Sequence, residues 1–291
     1  MGLFPEKVKS YPSGLTQGPL SNVYFVDYNN GNDNSPGNTR ENPLESIAAA
    51  IAKCGNAQGD TIFVTSPVHV ETTLPSVVNK QGVSIIGLPG HEPGQQPGTW
   101  IFPISNNPIF TLSASDVKIR NFLLWGGVGN PCINFGAGAT NVRIGIHNCS
   151  FHQGTYGIRA GPALLSPSHY LSITDCHFGP TLSVGGISLE SNGSWPLIAR
   201  NFFDSIAMPN LYCTMIGAGG QCYDNVFMLP ADTTVGGAIH LASATRWSVY
   251  RNYANDSTVA AITNNPYRDI LQTNAWYDNR IGGGAITAPS A

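Results

Sequence analysis

The chain contains 291 residues, of which 42% are hydrophobic and only 11% are charged, and its formal net charge is −3. Its aliphatic and aromatic residues are spread throughout, which excludes a disordered protein. The lack of clustered Lys and Arg excludes a basic nucleic-acid-binding protein, because such clusters neutralise phosphates. Soluble domains usually carry about 25% charged residues. The composition therefore indicates a β-rich protein with few of the charged helices that usually cover a surface.

The N-terminal residues predict an arm, a strand and a helix. Residues 1–22 are rich in Pro, Gly and Ser and predict an extended arm. Within residues 23–58, a strand over Tyr24–Asp27 precedes a helix that opens at Asn42 as N-cap, with Pro43 at its first position. The expected apolar stripe of this helix consists of Leu44, Ile47, Ala48 and Ile51, and Gly55 ends it.

Targeting signals and metal motifs are not evident. No run of 18 or more apolar residues is present, so we expect no membrane contact. The first residues lack the basic and then apolar layout of a secretory signal, so we expect synthesis in a cytoplasm. The six cysteines form no CxxC pair and predict reduced, buried thiols.

A repeat runs through the second half of the chain. Short apolar segments lead to an Asn or Asp every 24 to 27 residues, at Asn121, Asn148, Asp175, Asn201, Asn225, Asn252 and Asn279. A second row of apolar residues lies between these anchors, at Ile133, Ile158, Ile187, Met215, Ile239, Ile262 and Ile286. Two markers with one period near 25, and no helix-length segment between them, predict a coiled β-solenoid.

Stacking of coils explains the composition. Neighbouring coils of a solenoid lie about 4.8 Å apart, so equivalent residues lie above one another. Stacked Asn side chains can hydrogen-bond along the axis, and Asn also tolerates left-handed turns. Like charges placed opposite each other repel, which accounts for the low charge.

The pattern resembles the right-handed parallel β-helix proteins of the pectate-lyase-like superfamily over roughly residues 60–288. The resemblance implies an all-β, single-stranded, right-handed parallel β-helix of about eight coils over residues 59–291. It also implies that the predicted helix caps the N-terminal end of the solenoid. This architecture serves lyases, hydrolases, epimerases and virus proteins alike.

The enzymes of this superfamily place carboxylates on the outward face of one strand row. Here the residue after each apolar marker should point outward, and that row contains Asn134, Arg159, Ser188, Ile216, His240, Thr263 and Thr287. It has no carboxylate, although Glu190 follows on the same face and could lie near Arg159. We therefore assign no catalytic residue, and Arg159, Glu190 and His240 are the candidates if the chain is an enzyme.

A metal site is the other candidate. His147, Cys149, His152, Cys176 and His177 lie one coil apart, and stacked thiols could reach a zinc ion. Apolar residues occupy the position of Cys149 and Cys176 in most other coils, which favours an inward thiol stack. We expect no metal and no cofactor.

Two functions from different classes remain. The first is a non-enzymatic structural protein of a virus particle, a trimeric capsid decoration, tail-fibre or tailspike-like subunit. Its arm would contact other virion proteins or fold back on its own shaft. The second is a polysaccharide lyase or glycoside hydrolase. Residues 281–287 form the last expected strand, and we expect another chain to cover that end.

Overall fold

The computed structural model describes residues 21–71, 75–88, 98–103, 105–136, 142–161, 169–190, 193–204, 212–229, 237–256, 266–282 and 284–285. These residues form one helix, α1 (Ile47–Lys53), and 28 short strands. None of the described helices is long and apolar enough to cross a membrane. The predicted arm falls on residues outside the described ranges, apart from Ser21 and Asn22.

The strands are short and regularly spaced. The first ten are β1 (Val23–Val26), β2 (Thr61–Val64), β3 (Val68–Glu71), β4 (Ser76–Val78), β5 (Ser84–Ile86), β6 (Thr99–Pro103), β7 (Phe110–Leu112), β8 (Lys118–Arg120), β9 (Phe122–Trp125) and β10 (Ile133–Phe135). The next nine are β11 (Gly145–His147), β12 (Ser150–His152), β13 (Tyr156–Ala160), β14 (Ser172–Thr174), β15 (His177–Phe178), β16 (Gly185–Leu189), β17 (Leu197–Ala199), β18 (Phe202–Asp204) and β19 (Cys213–Ala218). The last nine are β20 (Gln221–Tyr223), β21 (Val226–Leu229), β22 (Ile239–Thr245), β23 (Ser248–Tyr250), β24 (Tyr253–Asp256), β25 (Tyr267–Asp269), β26 (Ala275–Tyr277), β27 (Arg280–Ile281) and β28 (Gly284–Ala285).

These strands form three sheets in the order of a parallel β-helix. Sheet A runs β1-β2-β5-β8-β11-β14-β17-β20-β23-β26, sheet B runs β3-β6-β9-β12-β15-β18-β21-β24-β27-β28, and sheet C runs β4-β7-β10-β13-β16-β19-β22-β25. Each coil adds one strand to sheet A, then B, then C, and the described pairs are parallel except β27 with β28. The predicted fold is confirmed. Eight complete coils, from β2–β4 to β23–β25, precede a partial ninth.

The core is a set of stacked inward rows. Sheet B contributes four buried phenylalanines, and their ring centroids lie 4.5 to 4.8 Å apart along the shaft; they are Phe151, Phe178, Phe203 and Phe227. Sheet C contributes Ile133, Ile158, Ile187, Cys213 and Ile239, which are paired in register and buried. This continuous apolar column holds the outward faces of the three sheets at fixed spacing.

The helix begins later than predicted. Ser46, and not Asn42, is its N-cap, and the Ser46 side chain accepts a hydrogen bond from the Ala49 N–H at 3.1 Å. Asn42 cannot cap the helix because Leu44 extends along β1, where its N–H donates to the Phe25 carbonyl at 2.8 Å. The helix buries Ile47, Ala50 and Ile51 against the first coils, as expected of a cap.

The predicted anchor row combines two adjacent positions. Asn121, Asn148 and Asp175 lie in left-handed turns, in one row with Arg200, Asp224, Arg251 and Asp278. Asn201, Asn225, Asn252 and Asn279 stand one residue later and are buried. These four asparagines therefore align with Cys149 and Cys176. The residues that follow them, Phe202, Val226 and Tyr253, belong to the outward row of His177, in which each pairs with its neighbour from coil to coil. The turn residues Asp175 and Arg200 are closer together in the sequence than the turn residues of the preceding coils. This shorter spacing hides the change of the predicted row from the turn position to the next one.

The last predicted strand is also different. β27 and β28 form a short antiparallel pair, in which Arg280 pairs with Ala285 and Ile281 with Gly284. Gly282 has a φ of 49°, a left-handed conformation that glycine adopts without steric cost and that reverses the chain. The predicted continuous strand over 281–287 was therefore wrong in its described part.

Candidate functional site

The outward row of sheet C is the face on which the sequence predicted a site. The residues of this row, which pair in register from coil to coil, are Val77, Thr111, Asn134, Arg159, Ser188, Thr214, His240 and Arg268. Cys213, and not Met215, pairs with Ile187, so the outward residue of that coil is Thr214 and the prediction of Ile216 was wrong. Arg268 stands in place of Thr263, which lies outside the described residues together with Thr287.

Arg159 and Glu190 belong to adjacent coils of this face. Arg159 pairs in register with Ser188, and the Ser188 hydroxyl donates to Glu190 Oε1 at 2.8 Å. The guanidinium of Arg159 lies 5.5 Å from the centre of the Tyr156 ring. Burial raises the pKa of the Tyr156 phenol, and the nearby Glu190 carboxylate adds to the increase. Among the described ion pairs, none joins Arg159 to Glu190.

His240 lies apart from that cluster. It is three coils from Arg159 in the register of sheet C, or about 14 Å at ~4.8 Å per coil. Both of its ring nitrogens are buried without a hydrogen-bond partner, and so is Nε of Arg159. Burial lowers the pKa of His240, and the positive charge of Arg268 in the next coil lowers it further.

The described residues of this face offer more hydrogen-bond donors than carboxyl groups. Glycosidic hydrolysis needs two carboxyl groups about 5 to 9.5 Å apart, and the described outward row contains none, with Glu190 alone beside it. Buried nitrogens without partners call for a hydrogen-bonding ligand or water. The arrangement can therefore hold a hydroxylated or anionic ligand, but it lacks a second acid to cleave a glycoside.

Carboxylates in the turns form structural ion pairs. Asp224 accepts from Arg251 at 2.7 and 2.8 Å in a bidentate pair between adjacent coils, and Asp175 with Arg200 repeats this geometry. The hydrogen bond from Arg251 lowers the pKa of Asp224. These acids are engaged in joining coils, each with one arginine.

The sequence-predicted thiol and imidazole cluster is divided between the two sides of the sheets. Cys149 and Cys176 are buried, and burial raises the pKa of the Cys176 thiol well above its usual range. His147 points outward from sheet A, where it lies 2.8 Å from Thr174 Oγ1, and His152 and His177 lie on sheet B. In the described part of the chain, no group of three potential ligands is placed to hold a metal ion.

The sequence analysis missed an aromatic strip on the outer face of sheet B. Its six rings contact one another in succession, with centroids 5.5 to 6.1 Å apart: Trp100, Phe102, Trp125, His152, His177 and Phe202. Trp100 is 38% exposed and Phe202 39%. The alternation Thr99-Trp100-Ile101-Phe102, with Thr99 and Ile101 buried, was the available signal.

Comparisons with known proteins support the architecture. No protein-family model and no curated protein sequence matches the chain. Among solved structures, Escherichia coli ybhc superposes with a TM-score of 0.51 at 11% identity, over 97% of this chain and 90% of that one. A rhamnogalacturonan lyase gives 0.50 at 15% identity, over 81% and 68%. ORF18 of Geobacillus virus E2 gives 0.43 at 10% identity, over 90% and 62%.

The two structures with TM-scores of 0.51 and 0.50 support the fold alone. The chain is a parallel β-helix of the architecture seen in pectate-lyase-like proteins. A shared fold does not transfer a function, so the function has to be argued from the residues of this chain.

Proposed function

We propose that this chain is a non-enzymatic structural protein of a virus particle, a trimeric capsid decoration or tailspike-like subunit. The observation that carries the proposal is the outward row of sheet C, which has no carboxylate among its described residues. The acids in the turns of the shaft support it, because Asp175 and Asp224 hold arginines of the next coil. These two Asp–Arg pairs thus join coils.

An assay for polysaccharide cleavage tests the proposal. The purified chain should release neither unsaturated ends, the product of lyases, nor reducing ends, the product of hydrolases, from a panel of acidic and neutral polysaccharides. Glu190→Gln removes the single acid beside the row, and Glu41→Gln, at an exposed position near the N-terminal end, is the matched control. Turnover that Glu190→Gln abolishes and Glu41→Gln retains would refute the non-enzymatic function.

The virion location has its own test. Antibodies raised against the shaft should label intact particles of the virus that encodes the chain. Labelling confined to infected-cell lysate, with none on purified particles, would overturn the location.

Binding of an acidic polysaccharide is the second candidate function, and the unpartnered nitrogens favour it. His240 and Arg268 pair in register, and the ring nitrogens of His240 have no hydrogen-bond partner. Carboxylates of a uronic-acid polymer would accept hydrogen bonds from the exposed Arg268 guanidinium and from the one N–H of a neutral His240 ring. Affinity electrophoresis in polygalacturonate should then retard the wild type more than His240→Ala or Arg159→Ala, with no retardation in a neutral glucan. Equal mobility of all three proteins in the two gels would exclude this candidate.

A further inference from the structure

The aromatic strip is apolar, ordered and nearly free of charge. It extends over five coils, from β6 to β18, or about 19 Å at ~4.8 Å per coil. Among the described strand residues of that stretch, Asp204 is the one charged residue with an outward side chain, and it lies 4.0 Å from His177. Protein interfaces are enriched in Trp and Phe and depleted of charge at their centre, and the strip has that composition.

We propose that the aromatic strip is the surface through which copies of this chain pack side by side, with their shafts parallel around a rotation axis. The inference rests on the proposed function, in which the chain works as a trimer, and adds the face that forms the contact. The occupant is thus a second copy of the chain.

Charge selects this face among the three. A residue close to a rotation axis lies against its own copies, so a charged residue there meets the same charge and is repelled. Sheet C presents Arg159 and Arg268 on its outward row. Sheet A presents Lys118 and Arg120, and Arg251 lies over its Tyr223 and Tyr250 rings. The described residues of the strip include no cation, and the one anion, Asp204, lies 4.0 Å from His177 at the end of the strip, so the aromatic rings can pack against a copy with less repulsion than the other two faces.

The regular spacing of the strip also fits a second shaft. Its side chains stand at the interval of the coils, and another parallel β-helix presents side chains at that same interval. Trp125 and His152 stack face to face with an interplanar angle of 13°, so one face of each ring is already covered. A sugar would need a free ring face, whereas the ring edges that remain suit apolar side chains of a protein.

Hydrogen bonds hold the strip in one arrangement. Ser150 Oγ lies 2.9 Å from Nε2 of His152 and 3.0 Å from Nδ1 of His177. This buried hydroxyl joins the two imidazoles across adjacent coils. A surface that is already ordered loses less side-chain entropy on association, which favours assembly through this face.

Light scattering on the whole chain tests the inference. The wild type should have three times the 30.9 kDa mass of one chain, and Trp100→Glu and Phe202→Glu should each reduce it to one chain mass. Val77→Glu is the matched control, because Val77 is a comparably exposed hydrophobic residue (43%) on sheet C. The control should keep the trimer mass, and circular dichroism should show the same β content in all four proteins.

Cross-linking gives a second readout that does not depend on weakening the assembly. A residue near the axis lies next to its own copies, so Phe202→Cys should form disulfide-linked pairs of chains under oxidation. Val77→Cys should remain a single chain, and the six native thiols are buried. A wild type that stays monomeric at high concentration, or a trimer that both glutamate variants retain, would overturn the inference. In the latter case the proposed structural function stands, because the polysaccharide assay tests it separately.

Discussion

At the scale of single residues, the positions at the corner between sheets A and B decide which polar groups are buried. The left-handed turn residue there is exposed or half-buried, and in four coils it is an Asp or Arg that pairs with the opposite charge in a neighbouring coil. The next residue is buried, and from Asn201 to Asn279 it is Asn. The amides of Asn201, Asn225 and Asn252 each donate both to the next Asn and to a backbone carbonyl. The amide of Asn279, the last of the row, donates to the Val249 carbonyl. The low charge and the excess of Asn thus have one cause, the stacking of like positions.

Asn225 should be essential to stability for this reason. Its Oδ1 accepts from the backbone and side chain of Asn201, both at 3.0 Å, and its Nδ2 donates to Asn252 Oδ1 at 2.9 Å. Asn225→Ala leaves several buried groups unpaired, each worth about 1–3 kcal/mol, so we expect a loss of about 3 kcal/mol in the free energy of unfolding. Denaturant titration measures it. Asn134→Ala, on the outward row of sheet C, is the control and should change it by less than about 0.5 kcal/mol; equal effects would contradict the role of the buried row.

At the scale of elements, the stacked phenylalanines of sheet B join four coils. The Phe203 ring lies 4.5 Å from Phe178 and 4.6 Å from Phe227. The second residue of β16, Gly186, has to be glycine, because a Cβ at this position would come within 2.6 Å of the Phe203 ring. The strands are three to five residues long in most coils, too short to be stable alone, so packing along the column fixes them.

Phe203→Ala should therefore destabilise the shaft strongly. Removal of a buried Phe ring costs about 3–5 kcal/mol in the free energy of unfolding, because a cavity replaces its contacts. Tyr277→Ala is the control, since that ring points outward from sheet A, away from the aromatic strip, and is 48% exposed. Thermal and denaturant unfolding should show a large loss for Phe203→Ala and a small one for Tyr277→Ala. Similar losses would mean that the column does not hold the coils together.

The sequence predicted the elements better than their exact register. The period of 24 to 27 residues follows directly from the coil, and it predicted the fold, whereas the capping helix was predicted from its own apolar stripe and from the resemblance to the superfamily. The predicted anchors are of two types with the same amide side chain. Asn148 lies in the exposed turn, whereas Asn225 lies one position later, in the core. Spacing alone could not separate the two types. Strands of three residues are too short for alternation to show which side faces out, which concealed the strip containing Trp125. Ile216 was predicted where Thr214 lies because Cys213 and Met215 both point inward in β19, and Cys213 is the one that pairs with Ile187.

At the scale of the whole molecule, four histidines are partly buried along the shaft. Burial lowers the pKa of each: His147, His152, His177 and His240. His147 reaches about 4, with burial as the main cause and the charge of Arg120 adding to it. The folded chain therefore keeps these imidazoles neutral at a pH where the unfolded chain, with an ordinary pKa of about 6.5, takes up protons.

This difference predicts that acid weakens the fold well above the range of the carboxylates. The free energy of unfolding rises with pH wherever the unfolded state binds more protons. The contribution of these imidazoles should therefore be fully present above about pH 6.5 and decline as the pH drops toward 4. We expect the Tm at pH 5 to be roughly 5 °C below that at pH 7.5. The ion pair of Asp224 contributes nothing to this change, because its lowered pKa keeps the carboxylate charged until the pH falls below its ordinary value of 3.8. His147→Gln should reduce the decline, because Gln takes up no proton, whereas Asn134→Gln should leave it as it is. A Tm that is constant or rises between pH 7.5 and 5 would show that the buried imidazoles are already protonated in the fold, and the shaft would then owe its acid response to other groups.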